Sequence, residues 1–300
     1  MKILVSGSHG LIGKALISSL TREGNEVLRL VRRERIVGSP EVEWDPTRGS
    51  IDGQHLEGVD AVVHLAGESI AEGRWDHKKK RRIRESRVQG TKLLTDSLVR
   101  LTRPPGIFLS ASAIGFYGNR GDEILTETSN KGNDFLSDVC ADWENATQPA
   151  IGKGIRVVNL RFGVILSTAG GALTKMLPPF RMGIGGRVGS GQQWMSWIAL
   201  EDVIDAIEFA LATDSLTGPV NIVAPNPVRN AAFTKELGAA LSRPTLFPIP
   251  AFGARLAFGE MADALLLSSQ RVDPARLKEH RFEFKYPTLN SALSHALRKE

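Results

Sequence analysis

The chain has 300 residues, of which 42% are hydrophobic and 24% are charged, and its formal net charge is +5. No apolar run approaches the roughly 18 residues that a membrane span requires, and polar residues at 6–9 interrupt the N-terminal apolar stretch too early for a signal peptide. The only cysteine, Cys140, excludes an internal disulfide and is typical of a reducing compartment. These features predict a soluble cytoplasmic protein with no membrane partner, built as one large domain or as a domain with an appendage.

The opening stretch MKILVSGSHGLIG predicts a phosphate-binding turn. Ile3–Val5 is an apolar run typical of a buried strand, and a helical pattern begins at Lys14. Gly7, Gly10 and Gly13 allow a tight turn, close approach of a pyrophosphate and close helix–strand packing, while the helix N-terminus offers unpaired N–H groups. Dinucleotide binding is predicted, with an ordinary strand-to-helix turn as the alternative. The residues expected to contact the cofactor here are Gly7, Ser8, His9, Gly10, Leu11, Ile12 and Gly13.

The strand pattern at Val27–Val31 ends in two arginines, Arg32 and Arg33, which are followed by Glu34. An NAD-binding fold usually has an acidic residue about 20 residues beyond the glycines, where it binds the ribose 2′-hydroxyl. An arginine at this place accommodates the 2′-phosphate of NADP instead. Arg32 and Arg33 therefore favour NADP(H) over NAD(H), with a solvent-exposed turn as the alternative.

Beyond a turn-rich stretch at 34–58, short apolar strands alternate with helices. Strand patterns cover 59–65, 107–109, 155–161 and 220–223, and helical patterns cover 75–101, 134–151, 202–211 and 288–297. With right-handed crossovers, this alternation predicts an α/β fold with a doubly wound parallel sheet. The glycine-rich segment 166–196 is expected to be mobile and to face a substrate.

We expect two domains. Residues 1–165 and 192–224 would form a Rossmann domain that binds NADP(H), and residues 166–191 and 225–300 a small C-terminal domain that caps the substrate.

The helix over 75–101 carries the cationic run Lys78–Arg82, with Arg84 and Arg87 close behind. A solvated helix face explains such a run, and a positive rim that attracts an anionic cofactor or substrate is the alternative. No nucleic-acid-binding fold and no pattern of stacking aromatics accompanies the run, so we expect no nucleic acid partner. Arg87 belongs either to this basic face or to a position facing the nicotinamide half of a cofactor.

Several short motifs follow the ends of the predicted strands. They are the glycine turn, Leu65-Ala66-Gly67, Ser110-Ala111-Ser112, Phe116-Tyr117-Gly118, Leu160-Arg161-Phe162-Gly163 and the segment from Trp197 to Val203. Together they resemble the short-chain dehydrogenase/reductase superfamily, in its extended, nucleotide-sugar-epimerase-like form, over most of the chain. The resemblance implies a Rossmann fold that binds a dinucleotide. It also implies cofactor contacts at Leu65, Ala66, Gly67, Ser110, Ala111, Arg161, Phe162 and Gly163.

A narrower likeness appears at 64–70 and 83–88 and in C-terminal motifs such as Gly259-Glu260-Met261. These stretches resemble an atypical epimerase-family subgroup that carries a short C-terminal domain of unassigned function. Some bacterial and plastid relatives are labelled cell-division inhibitors, which adds an interaction role in cell division as a hypothesis. Extended relatives often pair through two long helices, so the resemblance also implies a homodimer.

The superfamily resemblance implies a catalytic Tyr-x-x-x-Lys pair. The tyrosine acts as general acid or base, and the lysine holds the ribose and lowers the pKa of the tyrosine. Aligned on Glu144, this chain has Leu136 at the tyrosine position and Cys140 at the lysine position. Leu136 has no proton to give and Cys140 has no cation, so neither residue can do that chemistry. Glu144 itself is expected to be a charge on the helix surface.

Two hydroxyls remain as candidate catalytic groups. Ser112 matches the family serine that hydrogen-bonds the reacting oxygen, and a strand-end serine that caps local backbone is the alternative. Tyr117 is a substitute proton donor, with a packing aromatic at the sheet edge as the alternative. Without a lysine, a tyrosine keeps a pKa of about 10 and is a poor base at neutral pH. The histidines show no metal-ligand spacing, so no metal is expected.

The sequence supports two main hypotheses. In the first, an NADP(H)-dependent oxidoreductase or epimerase-like enzyme exchanges hydride with a carbon that bears a hydroxyl or carbonyl. Its substrate is a small molecule, and a nucleotide sugar follows from family analogy alone. In the second, the chain is a non-catalytic NADP(H) sensor or regulatory protein, because the binding motifs persist where the acid–base residues do not.

Overall fold

The fold comes from a computed structural model that describes residues 1–34, 36 and 38–298. Its strands are β1 (Lys2–Ser6), β2 (Glu26–Val31), β3 (Glu41–Asp45), β4 (Ser50–Ile51), β5 (Ala61–His64), β6 (Ile107–Ala113), β7 (Ile124–Leu125), β8 (Arg156–Phe162), β9 (Val164–Leu166), β10 (Trp194–Met195), β11 (Trp197–Ala199), β12 (Gly218–Ile222), β13 (Val228–Arg229) and β14 (Arg271–Val272). Its α-helices are α1 (Leu11–Arg22), α2 (His77–Leu98), α3 (Phe135–Asn145), α4 (Gln148–Gly152), α5 (Ala172–Arg181), α6 (Leu200–Ala212), α7 (Asn230–Ala240), α8 (Ala251–Phe258), α9 (Ala275–Glu279) and α10 (Leu289–Arg298).

The main sheet has the strand order β12-β8-β6-β5-β1-β2-β3-β4, and its neighbours are parallel except for β3 and β4. The chain runs outward from β1 through β2 and β3, returns to β5, and then runs outward the other way. The order therefore reverses between β1 and β5. Ligands of such sheets bind at this switch point, outside the carboxyl ends of the strands. The predicted doubly wound sheet of Rossmann type is confirmed.

Consecutive residues of β1 pack into the two hydrophobic cores on opposite faces of the sheet. Ile3 and Val5 pack with α1 and α6 on one face of the sheet, whereas Leu4 packs with α2 and α4 on the other. Because helices cover both faces, the central strands consist of continuous apolar residues rather than alternating ones.

The C-terminal residues form a smaller core of their own. Phe233 of α7 and Leu293 of α10 pack there with α5 and β11. Met261 packs instead on Ile83 of α2 and Leu136 of α3. A small C-terminal domain is therefore present beside the Rossmann sheet, as expected, while the exact division at 165, 191 and 224 stays a prediction.

The turn-rich interpretation of residues 34–58 is incomplete, because the segment contains the strands β3 and β4 as well as turns. Val42 and Trp44 are buried and Glu43 is exposed, which is the period of a strand. Acidic residues such as Glu41 and Glu43 hid this alternation in the sequence.

Two expectations about helices also change. The helix expected over 134–151 is in fact α3 and α4, because Pro149 lies in the first turn of a new helix. The segment 166–196, expected as a glycine-rich loop, contains α5, which includes Pro178 and Pro179. Among the helices of the described residues, none is long and apolar enough to cross a membrane.

Candidate cofactor-binding site

The turn between β1 and α1 forms a cradle in which two of its glycines leave no room for a Cβ. Gly7 has a φ of +69°, and a Cβ there would lie 2.8 Å from the backbone carbonyl carbon of Leu65. A Cβ on Gly13 would lie 2.2 Å from the oxygen of Gly7, so helix and strand approach each other as closely as predicted. Gly10 caps α1 without a side-chain hydrogen bond and is exposed. The first N–H groups of α1 are therefore left without a side-chain cap and can bind an anion.

Ser8 and His9 occupy the same turn with different exposure. Ser8 is buried and His9 is exposed, and Ser8 Oγ lies 3.2 Å from His9 Nδ1. The exposed imidazole is the one of the two that a ligand can reach directly.

Two buried side chains, Ser6 and His64, join the turn after β1 to the turn after β5. Ser6 Oγ lies 2.7 Å from His64 Nδ1, and it accepts hydrogen bonds from the N–H groups of Leu65 at 3.0 Å and Ala66 at 3.3 Å. Burial lowers the pKa of His64 to about 4, so the imidazole is neutral at pH 7. This pair holds the segment from Leu65 to Gly67 beside the glycine cradle. Sequence reasoning missed it, although a polar residue ending each of two apolar strands was the available signal.

The two arginines after β2 have different surroundings. Arg33 Nη2 lies 2.6 Å from Oε1 of Glu41, and the side chain of Glu41 is fully buried. Glu41 also pairs with Arg29, at 3.0 Å. Arg32 is exposed and forms no hydrogen bond or ion pair with any residue that the structure describes. Arg32 is therefore the arginine whose guanidinium is available to an anionic ligand.

Ser112 lies in a buried network of charged and polar side chains. Its Oγ donates to Oε1 of Glu144 at 2.7 Å, and both carboxylate oxygens accept from Arg161, from Nε at 2.7 Å and from Nη2 at 2.8 Å. Arg161 Nη1 donates to the hydroxyl of Tyr117 at 2.9 Å, and that hydroxyl donates to Oδ1 of Asn221 at 2.7 Å. The network therefore joins β6, α3, β8 and β12 at the end of the sheet opposite Arg32.

Both hydroxyl groups that the sequence identified as catalytic candidates form hydrogen bonds within this network. Ser112 is 2% exposed and Tyr117 is fully buried. Because the Ser112 proton points to Glu144, its oxygen offers only lone pairs to a further partner. Burial raises the pKa of Tyr117 to about 12, although Arg161 opposes the shift. In this arrangement Tyr117 packs in the interior, and Ser112 accepts rather than donates.

The residues of the two strand-end motifs at 110–112 and 160–163 also lie in packed surroundings. Ser110, Ala111, Arg161 and Phe162 are all buried, and a Cβ on Gly163 would lie 2.7 Å from the oxygen of Ser196. These contacts explain their residue types by packing, and their assignment as cofactor contacts stays a prediction.

Glu144 is the main residue that sequence reasoning misplaced. It was expected on the helix surface, yet its side chain is 11% exposed and holds the guanidinium of Arg161. The available signal was Arg161 itself, because an arginine inside an apolar strand requires a carboxylate partner.

A cavity of about 300 Å³ lies beside the start of α3. Its walls are Trp75, Asn119, Asp134, Phe135, Leu136, Arg255, Glu260, Asp263, Ala264, Leu267 and Ser268. Each carboxylate among them already has a partner. Asp134 accepts from the N–H of Ser137, Glu260 pairs with Lys80, and Asp263 pairs with Arg255.

The sequence family follows from comparison with known proteins. A model of the NAD-dependent epimerase/dehydratase family matches residues 3–223. The chain belongs to this family. A second model, a domain of unknown function called DUF1731, matches residues 249–296. Both the superfamily resemblance and the narrower likeness to the subgroup with a short C-terminal domain are thereby confirmed.

Three known proteins match all or nearly all of the chain. An epimerase family protein of Mycobacterium bovis is 44% identical over 294 residues, 98% of this chain and 97% of that protein. The crystal structure of human epimerase family protein SDR39U1 with NADPH matches with a TM-score of 0.92 and 33% identity, over 100% of both chains. A nucleoside-diphosphate sugar epimerase from Corynebacterium glutamicum matches with a TM-score of 0.81 and 40% identity, over 100% of this chain and 59% of that one.

This family member departs from the expected catalytic pair in structure as well as in sequence. Leu136 lines the cavity with an aliphatic side chain where the tyrosine was implied. Cys140, one turn further along α3, is buried, and burial raises its pKa to about 12. The lysine position therefore holds a neutral thiol.

Proposed function

We propose that this protein binds NADP(H) along the carboxyl edge of β2, β1 and β5. The cradle of Gly7 and Gly13 carries the proposal, because a Cβ would collide with backbone there and its absence lets a pyrophosphate reach the start of α1. The guanidinium of Arg32, which pairs with no residue that the structure describes, supports the phosphorylated cofactor over NAD(H). The human relative whose crystal structure contains NADPH supports the same ligand.

The bound cofactor serves here as a regulatory ligand, and the protein is an NADP(H) sensor rather than an epimerase. An epimerase must remove and return a hydroxyl proton at the reacting carbon, which requires a positioned acid or base. In this chain Leu136 occupies the tyrosine position, Tyr117 is fully buried and Ser112 is bonded to Glu144. Cofactor binding is thus retained without the acid–base pair.

The cavity beside Leu136 favours a second candidate, the reduction of a small carbonyl compound. The cofactor would supply the hydride, and the carbonyl oxygen would take its proton from water. Ser112 would orient that oxygen only after releasing Glu144, because its proton is otherwise committed. The cavity volume of about 300 Å³ lies at the lower end of ligand-site sizes.

Binding and turnover measured together separate the two candidates. Titration of the protein with NADPH and NADH, followed by nicotinamide fluorescence, is expected to show NADPH bound at least about tenfold more tightly. Incubation with NADPH and a panel of carbonyl compounds and nucleotide sugars is expected to show no loss of the reduced cofactor and no sugar isomerisation.

Two results would overturn these statements. Absence of NADPH binding would remove the cofactor assignment. Turnover that is lost in Ser112→Ala and kept in Tyr117→Phe would establish the reductase instead of the sensor and would make Ser112 catalytic. A nucleotide-sugar substrate, a homodimer and a protein partner in cell division stay predictions.

A further inference from the structure

Arg87 of α2 lies between the turn after β5 and helix α3. The position that a Cβ would take on Gly67 is 3.4 Å from Cζ and from Nη2 of Arg87. On its other side, the guanidinium lies over the indole of Trp143, with Cζ 5.0 Å from the ring centroid. Because Gly67 is exposed, the guanidinium lies directly beneath the surface of this turn.

Among the cations of α2 that are not exposed, which are Lys79, Lys80 and Arg87, only Arg87 has no carboxylate partner within the described residues. Within the described ranges, Lys79 pairs with Glu68, Lys80 with Glu260, Arg82 with Glu68 and Arg84 with Asp142. The one hydrogen bond that Arg87 makes there runs from Nη1 to the carbonyl oxygen of Ile83, at 3.0 Å. Three carboxylates thus pair with four cations of α2, and Arg87 is the inward-facing cation that forms no ion pair with them.

A partly buried guanidinium with free donors requires an acceptor. Burial lowers the pKa of Arg87, and the neighbouring Cys140 and Glu68 oppose that shift. Arginine nevertheless stays protonated in proteins, so its donors remain in place at neutral pH. The Trp143 ring and the Ile83 carbonyl fix the plane of the guanidinium, which orients those donors before any ligand binds.

The position of Arg87 agrees with the course of a dinucleotide along the sheet edge. The phosphate cradle lies at the end of β1, and Arg32 lies one strand away at the end of β2. Strand β5 flanks β1 on the opposite side, again at a spacing of roughly 5 Å. A cofactor with its adenosine half at Arg32 and its pyrophosphate at Gly10 must pass the turn at Gly67 with its nicotinamide half.

We propose that Arg87 binds the hydroxyl oxygens of the ribose on the nicotinamide side of NADP(H), an inference that rests on the proposed cofactor binding. Ribose hydroxyls are acceptors that a planar guanidinium can hold in a defined orientation. The anchor comes from α2, in a chain where Cys140 leaves α3 without a cation at the lysine position. Arg87 is thus a binding residue for the cofactor and not part of the solvated face of α2.

The test compares two ligands that differ by one ribose, 2′-phosphoadenosine 5′-diphosphate and 2′-phospho-ADP-ribose. Isothermal titration calorimetry on the full chain measures both, together with NADPH. In Arg87→Met, which keeps an apolar stem and removes the donors, affinity for 2′-phospho-ADP-ribose and for NADPH is expected to fall about tenfold or more. Affinity for 2′-phosphoadenosine 5′-diphosphate is expected to stay within about twofold, because that ligand ends at the pyrophosphate.

Arg84→Met is the matched control on the same helix, because Arg84 is 54% exposed and pairs with Asp142. It is expected to leave all three affinities within about twofold. Thermal unfolding verifies that each variant folds, and Arg87→Lys, which keeps the charge and loses the fork, provides a second variant with an intermediate loss.

Three outcomes would overturn the assignment of Arg87. They are an equal loss for both adenosine ligands, no loss for either, and a loss confined to NADPH, which would place the guanidinium at the nicotinamide ring. A wild-type protein that binds none of these ligands would instead overturn the proposed cofactor binding.

Discussion

The two ends of the sheet edge keep the family pattern to different degrees. At β1 and β2, the glycine cradle, the exposed N-cap of α1 and Arg32, which is exposed and not engaged by any described residue, match what a phosphorylated dinucleotide needs. At β6 and α3, Leu136 and Cys140 occupy the positions of the catalytic pair, and Ser112 is bonded to Glu144. Cofactor binding and cofactor chemistry are therefore separable on this fold, because they depend on different ends of the same edge.

The separation has a physical origin in what each end requires. Phosphate binding relies on backbone N–H groups and on missing Cβ atoms, so a substitution at Gly7 or Gly13 disturbs the turn itself. Acid–base chemistry relies on single side chains that project into a cavity. Replacing a tyrosine by Leu136 leaves helix α3 packed, because Leu136 joins Ile83 and Met261 in an apolar cluster.

The largest expected effect concerns the β6 end. Glu144→Gln removes the charge that holds Arg161, whose guanidinium then lies buried without a counter-charge. Breaking a buried pair in this way costs about 3–5 kcal/mol in free energy of unfolding, which urea denaturation measures. If the two ends are independent, NADPH affinity stays within about threefold of wild type under conditions where the variant is folded.

The control for this prediction is Glu123→Gln, since Glu123 is 48% exposed and pairs with Arg120 on the surface. It is expected to cost less than about 1 kcal/mol. A comparable loss in both variants would show that the network around Glu144 contributes no more than a surface pair, and a proportional loss of NADPH affinity would show that the two ends are coupled.

The two ends also differ in how far the sequence predicts them. The glycine cradle was predictable because all its parts lie within seven positions of one another and depend on a local steric rule. The network was not, because Ser112 and Glu144 are 32 residues apart and meet only when α3 packs on β6. Helical periodicity identifies an apolar face but does not show which polar side chain at its margin turns inward.

The strand β3 was missed for a related reason. Its buried Glu41 is stabilised by Arg29 in β2 and by Arg33 just beyond the end of that strand, both several residues earlier in the sequence. An ion pair formed across the sheet has no signal in local composition, so the carboxylates made the segment resemble a turn.

A second prediction concerns pH and the pair at the switch point. The folded His64 has a pKa of about 4, compared with an ordinary value of 6.5. Between these values the unfolded chain binds the proton and the folded chain does not, so stability falls as pH falls through this window. The loss from His64 is about 3 kcal/mol at pH 4 and levels off below that pH at about 3.4 kcal/mol.

Chemical denaturation at pH 7 and near pH 4 measures this loss. His64→Gln is expected to flatten the pH dependence by about that amount, whereas His77→Gln, at an exposed position, is expected to leave it unchanged. Equal slopes for wild type and His64→Gln would contradict the neutral buried imidazole.

A third prediction tests the cradle itself. In Gly13→Ala the added Cβ would lie 2.2 Å from the oxygen of Gly7, so the turn must open. We expect NADPH affinity to fall roughly a hundredfold, in line with an overpacking cost of about 2–3 kcal/mol. Gly152→Ala is the matched control, because a Cβ there meets nothing within 4 Å. Unchanged NADPH binding in Gly13→Ala would mean that the cofactor does not use this turn.

The smallest expected effect, on NADPH affinity, tests the assignment of Arg32 to the 2′-phosphate at the β2 end. Arg32→Ala removes a guanidinium that no described residue engages, so no hydrogen bond or ion pair among the described residues is lost and the main effect falls on cofactor binding. NADPH affinity is expected to fall about tenfold and NADH affinity to stay the same, and the difference should shrink with added salt because the site is exposed. Arg33→Ala is the comparison, since Arg33 pairs with Glu41, and it should lower stability more than it changes the NADPH/NADH ratio. If Arg33→Ala changes the NADPH/NADH affinity ratio and Arg32→Ala does not, then Arg33 binds the 2′-phosphate. Because Arg33 also stabilises β3 through Glu41, selectivity for NADPH would then depend on a residue that the fold requires.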